Sequence, residues 1–186
     1  MSTSLIATAS QTVGPFFKDG MRLHQGAALF GDNIQGSPIQ VQGNMFDGEG
    51  APVADGVIEV WQCDASGRFG GAPSPNGAGR SEGFGRIYTD HKGGYSFTTI
   101  MPGVPTESRN AAPYLLLIIF ARGLLRHIHT RLYFDGVAEN TTDGVLLSVP
   151  PERRATLVAT RPSQTEGLYL FDIRLAGAGE TVFFLY

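Results

Sequence analysis

Hydrophobic and polar positions alternate along most of this chain in short runs, a pattern that predicts β-strands. The predicted strands cover residues 39–46, 57–62, 86–89, 94–100, 114–121, 126–134, 167–175 and 180–186. Asp47, Gly48 and Gly50 separate the first two runs and favour a turn, so we expect these two strands to form a hairpin.

The run 114–121 is continuously apolar, which predicts a central strand covered on both faces, with a buried helix as the alternative. The run 126–134 follows a turn at Gly123 and is predicted to be its neighbour. Pro150 and Pro151 precede an acidic residue and predict one short helix, near 151–160. Seven or eight strands with one helix predict an all-β fold, a β-sandwich forming a single domain over residues 1–186.

Two segments depart from the alternation. Residues 1–37 show no sustained period, and we expect an irregular N-terminal arm that packs on a partner. Residues 70–85 are crowded with glycine and proline, which indicates a long surface loop. Loops held by a rigid scaffold often carry function.

Composition narrows the classes of function. The 186 residues are 42% hydrophobic, enough for one well-packed domain, and the net charge of −3 argues against a nucleic-acid surface. Cys63 is the only cysteine, so an internal disulfide is impossible, and we expect it to be a small buried hydrophobe. The N-terminus lacks a basic signal region, and residues 115–121 are too few to span a bilayer. These features together predict a cytoplasmic protein.

The most specific motif is the stretch 56–69. It joins a β-branched strand that ends at Trp61 to a turn containing Asp64 and Gly67, and it closes on Phe69. This order of residues resembles the intradiol ring-cleaving dioxygenases. The resemblance extends to residues 10–16, 90–103, 122–134 and 171–184, which together with the first motif cover most of the chain.

The resemblance has consequences for the metal of that family. Catalytic chains of the family hold ferric iron with two tyrosines and two histidines. The corresponding places here hold Phe69, Val104 or its neighbour, Tyr114 and Leu116. Only Tyr114 keeps a metal-binding atom, so the resemblance implies that this chain binds no metal and that Fe(3+) is held by a homologous partner chain.

His127 and His129 are a competing metal candidate. A His-x-His pair on a strand places both imidazoles on one face, where they could share a metal ion. Such a site needs further ligands, and the same face continues to Arg131, whose cation disfavours a metal. A self-contained metalloenzyme using this pair is therefore kept as an alternative to two histidines at a strand surface or subunit contact.

Arg122 is the candidate catalytic residue. Its planar guanidinium suits a carboxylate, and the resemblance implies that it reaches, in trans, an active site built with the iron-bearing chain. There it would position the substrate. A turn arginine in solvent or in an interface salt bridge is the alternative.

Thr12, Gly14, Pro15 and Phe16 are the candidate substrate-binding residues, because the resemblance implies that this part of the arm borders the shared pocket. Phe16 replaces a tyrosine common in the family, so its role would be steric. An arm that only packs at the interface is the alternative.

The resemblance thus implies a non-iron-binding subunit that completes the active site of a homologous iron-bearing subunit. It implies protocatechuate, an anionic catechol, and O2 as the reactants, and a higher hetero-oligomer as the assembly. A non-catalytic β-sandwich that serves as a binding or structural module is the rival interpretation.

Overall fold

The computed structural model describes residues 7–14, 16–21, 29–30, 35–70, 83–108 and 110–185. This part of the chain contains nine strands: β1 Pro38–Phe46, β2 Val57–Trp61, β3 Phe84–Tyr88, β4 Gly94–Ile100, β5 Tyr114–Phe120, β6 Ile128–Phe134, β7 Val158–Ala159, β8 Leu168–Leu170 and β9 Ile173–Arg174. It also contains two short α-helices, α1 Phe17–Met21 and α2 Gly144–Ser148, and two 3-10 helices, Ala138–Thr141 and Pro151–Leu157.

The strands form two sheets. One has the order β3-β2-β5-β6-β7, and the other has the order β4-β1-β8, with β9 also pairing with β1. The predicted β-sandwich is confirmed by this arrangement. The predicted pairing of the apolar run with its neighbour is confirmed as well, since β5 and β6 are antiparallel from Tyr114↔Tyr133 to Ile119↔Ile128.

Alternation along the strands places one face of each sheet in a common core. On β5 the side chains of Leu115, Leu117 and Ile119 are fully buried, and Val41 of β1 meets the same core from the other sheet. The intervening residues of β5 are only half-buried. The strand predicted to be central lies between β2 and β6, and its second face is only partly covered.

The hairpin predicted for the first two strands is wrong. β1 pairs with β4, whereas β2 pairs with β3 and β5 in the other sheet. Asp47 closes a tight turn by accepting hydrogen bonds from the amides of Glu49 and Ala51, at 2.9 and 2.8 Å. A second turn at residues 54–55 then carries the chain across to the five-stranded sheet. Alternation predicts strands, but it does not specify which strands pair.

The helix predicted near 151–160 is a 3-10 helix that ends at Leu157, because Val158 and Ala159 pair with β6 as β7. The other short helices were not predicted. The predicted strand 167–175 is divided into β8 and β9. The strand predicted at 180–186 is wrong, because its described residues form only one isolated bridge, between Phe184 and His129.

The N-terminal arm is less irregular than predicted, since it contains α1. Leu29 and Phe30 are buried and belong to the core of this chain, so that part of the arm packs on its own domain. Most of the predicted loop at 70–85 lies outside the described residues, at 71–82, and Phe84 already belongs to β3. In the described part of the chain, no helix has the length and apolar character needed to cross a membrane.

Candidate functional site

Arg122 lies in the turn that follows β5. The amide of Leu124 donates to the carbonyl of Ala121 at 3.3 Å, and Gly123 takes φ of 88°, a left-handed conformation that glycine adopts without strain. The Arg122 side chain is 62% exposed, and its Nε forms an ion pair with Oδ2 of Asp55. Within this chain the arginine therefore faces solvent, with one carboxylate beside it.

Asp55 was not singled out from the sequence. Val57 of β2 pairs with Phe120 of β5, and continuing that antiparallel register by two residues sets Asp55 opposite Arg122. Its side chain is only 20% exposed. The signal that could have found it is the β2–β5 register, which depends on tertiary pairing.

Thr12 of the arm meets the same turn. Its Oγ1 accepts a hydrogen bond from the amide of Gly123 at 2.8 Å and lies 3.5 Å from the carbonyl oxygen of Ala121. Thr12 thus contacts the residue on each side of Arg122, Ala121 and Gly123. Two separately predicted features, the arm and the arginine, are brought together here.

Two of the other arm candidates, Gly14 and Phe16, are exposed to solvent. A Cβ added at Gly14 would meet no atom within 4 Å, so no close approach within this chain requires glycine there. Phe16 is 80% exposed. Pro15 lies outside the described residues.

Helix α1 fastens the arm to the five-stranded sheet. The rings of Phe17 and Phe120 lie 5.4 Å apart between centroids. Lys18 Nζ donates to the carbonyl oxygen of Ala54 at 2.8 Å and also to that of Thr89. Sequence reasoning missed Lys18, because its partners are backbone oxygens of distant turns.

The described surface has a small cavity near the turn of Arg122 and a larger cleft on the other sheet. The small cavity, of about 160 Å³, lies between the arm and the β5–β6 turn and is lined by residues that include Val13, Leu124 and His127. The larger cleft, of about 950 Å³, is lined by residues of the other sheet, among them Gln42 and Asp172. It contains none of the predicted site residues. The small cavity, which adjoins the turn of Arg122, is the one connected with the candidate site.

His127 and His129 are adjacent, with ring centroids 5.0 Å apart, as expected for residues two apart on one face. Burial and the neighbouring His127 lower the pKa of His129, which favours its neutral form. Within the described residues no group of three or more His, Cys, Asp or Glu side chains could hold a metal ion. The pair therefore supplies two donors at most from this part of the chain.

The four places that correspond to the family's iron ligands lie where β2 ends and β5 begins. Leu116 pairs with Trp61, and the loops that carry Phe69 and Val104 are joined by a hydrogen bond from the amide of Thr106 to the carbonyl of Gly67, at 3.0 Å. The side chains of Phe69, Val104 and Leu116 have no ligand atom. The guanidinium of Arg131 lies 4.1 Å from the centroid of the Tyr114 ring. These residues do not fit a ferric ion, which requires hard anionic or imidazole ligands.

Arg122 lies at the opposite end of β5 from Tyr114 and Leu116. It follows Leu116 by six positions, two of them beyond the end of the strand, which at about 3.3 Å per residue is at most roughly 20 Å.

Comparison with known proteins agrees with this architecture. The sequence matches the dioxygenase family over residues 12–177. It is 38% identical over 196 residues to the protocatechuate 3,4-dioxygenase alpha chain of Burkholderia cepacia, covering 98% of this chain and 98% of that protein. It is 30% identical over 184 residues to the beta chain from the same organism, covering 92% of this chain and 77% of that one.

Among solved structures, the intradiol ring-cleavage dioxygenase of Tetranychus urticae superposes with a TM-score of 0.65 at 15% identity, over 85% of this chain and 91% of the other. That likeness concerns the fold alone. The family match and the curated relatives show that the chain belongs to the intradiol dioxygenase family, as its resemblance predicted.

Proposed function

We propose that this chain is the non-iron-binding α subunit of a protocatechuate 3,4-dioxygenase. It completes the active site of a homologous iron-bearing β subunit. The assembly cleaves protocatechuate between its two hydroxylated carbons, and both atoms of O2 enter the product, 3-carboxy-cis,cis-muconate. The chain alone is inactive.

The observation that carries the proposal is the placement of Arg122. Arg122 and Thr12 of the arm form an organised, solvent-facing surface just beyond the end of β5, whereas Tyr114 and Leu116, two of the places where the family binds iron, lie at its beginning. An organised surface without a reacting centre of its own is expected when a second chain supplies that centre.

Arg122 supplies the chemistry of this surface. A guanidinium carries five N–H donors in a planar fork and binds a carboxylate through two parallel hydrogen bonds. Protocatechuate presents one carboxylate on its ring, opposite the hydroxyl groups that react. Arg122 therefore acts in trans by holding the substrate carboxylate and orienting the ring toward the partner's iron.

The arm forms the border of the pocket. Thr12 holds the turn of Arg122, and Gly14 leaves room for a partner or ligand to approach, since no atom lies within 4 Å of its missing side chain. Phe16, which is 80% exposed, adds apolar surface to the same border. The arm is covered when the β subunit docks, and the chain acts as a single domain in that assembly.

The partner and the cofactor follow from the same argument. The chain offers no ligand set for iron at the family's positions, so Fe(3+) belongs to the β subunit. Similarity to both an alpha and a beta chain supports a hetero-oligomer of two homologous subunits. A reducing cytoplasm suits a chain whose single cysteine is buried.

Co-expression tests the assembly. This chain is produced with a protocatechuate 3,4-dioxygenase beta chain, and oxygen uptake with protocatechuate is compared with that of each chain alone. We expect full activity and iron only when the beta chain is present. Stoichiometric iron in this chain alone, lost on replacing His127, would instead support the metalloenzyme alternative. A pair of chains that neither assemble nor react would support a separate binding module.

A substitution tests the role of Arg122. Arg122→Ala in the assembled enzyme should keep the iron content and assembly while weakening catalysis, by about 10- to 100-fold in kcat/KM, the value of a lost charged hydrogen bond. Arg153→Ala is the matched control, since Arg153 also forms a surface ion pair, with Glu180, but near the opposite end of β6. If the two variants had the same kcat/KM, the proposal that Arg122 lines the pocket would be refuted.

A further inference from the structure

We propose that Asp55 is a positioning residue that orients Arg122 for binding the substrate carboxylate. This inference rests on the proposed function, because it assumes that Arg122 lines the shared pocket. It adds a residue that does not touch the substrate itself and acts only through the arginine.

The contact between the two side chains leaves the binding end of the arginine available. Asp55 Oδ2 pairs with Nε of Arg122, the nitrogen nearest the side-chain stem. The terminal nitrogens of the guanidinium still carry N–H donors, and among the described residues no other ion pair engages them. One carboxylate thus holds the stem side of the fork while the outer edge can receive a second carboxylate.

The backbone on both sides of Asp55 is anchored. The carbonyl of Ala54 accepts a hydrogen bond from Lys18 Nζ at 2.8 Å. The amide of Gly56 donates to Oγ1 of Thr89 at 2.9 Å, and the amide of Thr89 donates to the carbonyl of Gly56 at 3.1 Å. Thr89 is itself buried. Because the backbone around Asp55 is held in place, its carboxylate can hold the Arg122 side chain in one orientation.

The ion pair between Asp55 and Arg122 adds little to the stability of the fold. An ion pair in which the arginine is 62% exposed contributes little to folding, because water screens it. Ordering a long side chain before the ligand arrives, in contrast, removes an entropic cost from binding. We therefore expect loss of Asp55 to weaken substrate binding while leaving the fold intact.

The experiment uses the assembled enzyme with four changes in this chain: Asp55→Ala, Asp55→Asn, Arg122→Ala, and the double change of both residues to alanine. Glu180→Gln is the matched control, since Glu180 is also an acid in a surface ion pair, 3.5 Å from Arg153. KM and kcat are measured with protocatechuate. Inhibition by catechol, which lacks the carboxylate, is measured beside them, as is the thermal midpoint.

Asp55→Ala should raise KM for protocatechuate by about 3- to 10-fold with kcat nearly unchanged, the range expected for ordering one long side chain. Asp55→Asn, which keeps a neutral acceptor, should have a smaller effect. The inhibition constant of catechol and the thermal midpoint should not move. In the double variant, Asp55→Ala should add nothing to the effect of Arg122→Ala, because the residue acts through the arginine.

Other outcomes separate this inference from the proposed function. If Arg122→Ala weakens catalysis while Asp55→Ala leaves or lowers KM, the positioning role is refuted and the pocket role of Arg122 stands. Additive effects in the double variant would also refute it. If neither change has an effect, the proposed function of Arg122 fails, and this inference fails with it.

Discussion

Replacing Asp143 with alanine should destabilise the fold strongly. The side chain of Asp143 is 1% exposed and accepts three hydrogen bonds from buried groups. They come from the amide of Leu146 at 2.7 Å, the amide of Ala112 at 2.8 Å and the hydroxyl of Tyr133 at 3.0 Å. The carboxylate thus caps α2 and ties it to β6 and to the segment that enters β5.

The size of the effect follows from those three donors. A buried donor left without an acceptor costs about 1–3 kcal/mol. Water can enter the space left by the shortened side chain, so the lower part of that range applies, and the total is about 3–5 kcal/mol. For a domain of this size each kcal/mol corresponds to about 2–4 °C, which gives a fall in the melting temperature of about 10 °C.

Thermal unfolding followed by circular dichroism measures this fall. Tyr133→Phe removes only one of the three hydrogen bonds and should cost about 1 kcal/mol, while Thr142→Ala changes an exposed neighbour and should stay within about 0.5 kcal/mol. If Asp143→Ala melted within 2 °C or so of Thr142→Ala, the two amides would have found other acceptors. The hydrogen-bond reasoning would then be refuted.

Two further predictions concern the arm and the histidine pair. Lys18→Met removes the hydrogen bonds to two backbone carbonyls, so the Gly20 amide of α1 should exchange with solvent about tenfold faster. Lys92→Met, a change in an exposed turn, is the control and should not alter this exchange rate. Equal exchange in both variants would mean that Lys18 does not hold the arm. Burial and His127 lower the pKa of His129 below its ordinary 6.5, so the unfolded chain binds the proton more readily than the folded chain. The stability of the fold should therefore decrease as the pH drops from about 6.5 through the folded pKa. His129→Gln should flatten that part of a plot of the urea midpoint against pH, and an unchanged slope would contradict this prediction.

The pairing of β5 with β6 could be predicted because two signals agreed. The run 114–121 is apolar enough to require a central strand, and Gly123 supplies the turn directly after it. The hairpin predicted for β1 and β2 failed although its turn was correctly placed at Asp47. A turn shows where a strand ends, but the next strand joins whichever sheet buries its apolar face.

The candidate site was predictable only in part. Arg122 and Thr12 were both identified from the sequence, and the structure shows that the hydroxyl of Thr12 holds the turn that carries Arg122. Asp55 and Lys18 were missed. The partner of Asp55 depends on the register between β2 and β5, and the partners of Lys18 are backbone carbonyls. Neither can be recognised from the pattern of residue types.

The sequence by itself determined the family and the lack of an iron ligand set at the family's positions. Both depend on residue identity, since no folding of the chain can give Phe69 or Leu116 a ligand atom. Only the tertiary structure decided that Arg122 lies beside Asp55 and that Thr12 of the arm holds the turn of Arg122. Distances between residues far apart in the chain follow from how strands pair and pack, because burial of the whole apolar surface, rather than any local pattern, selects that pairing.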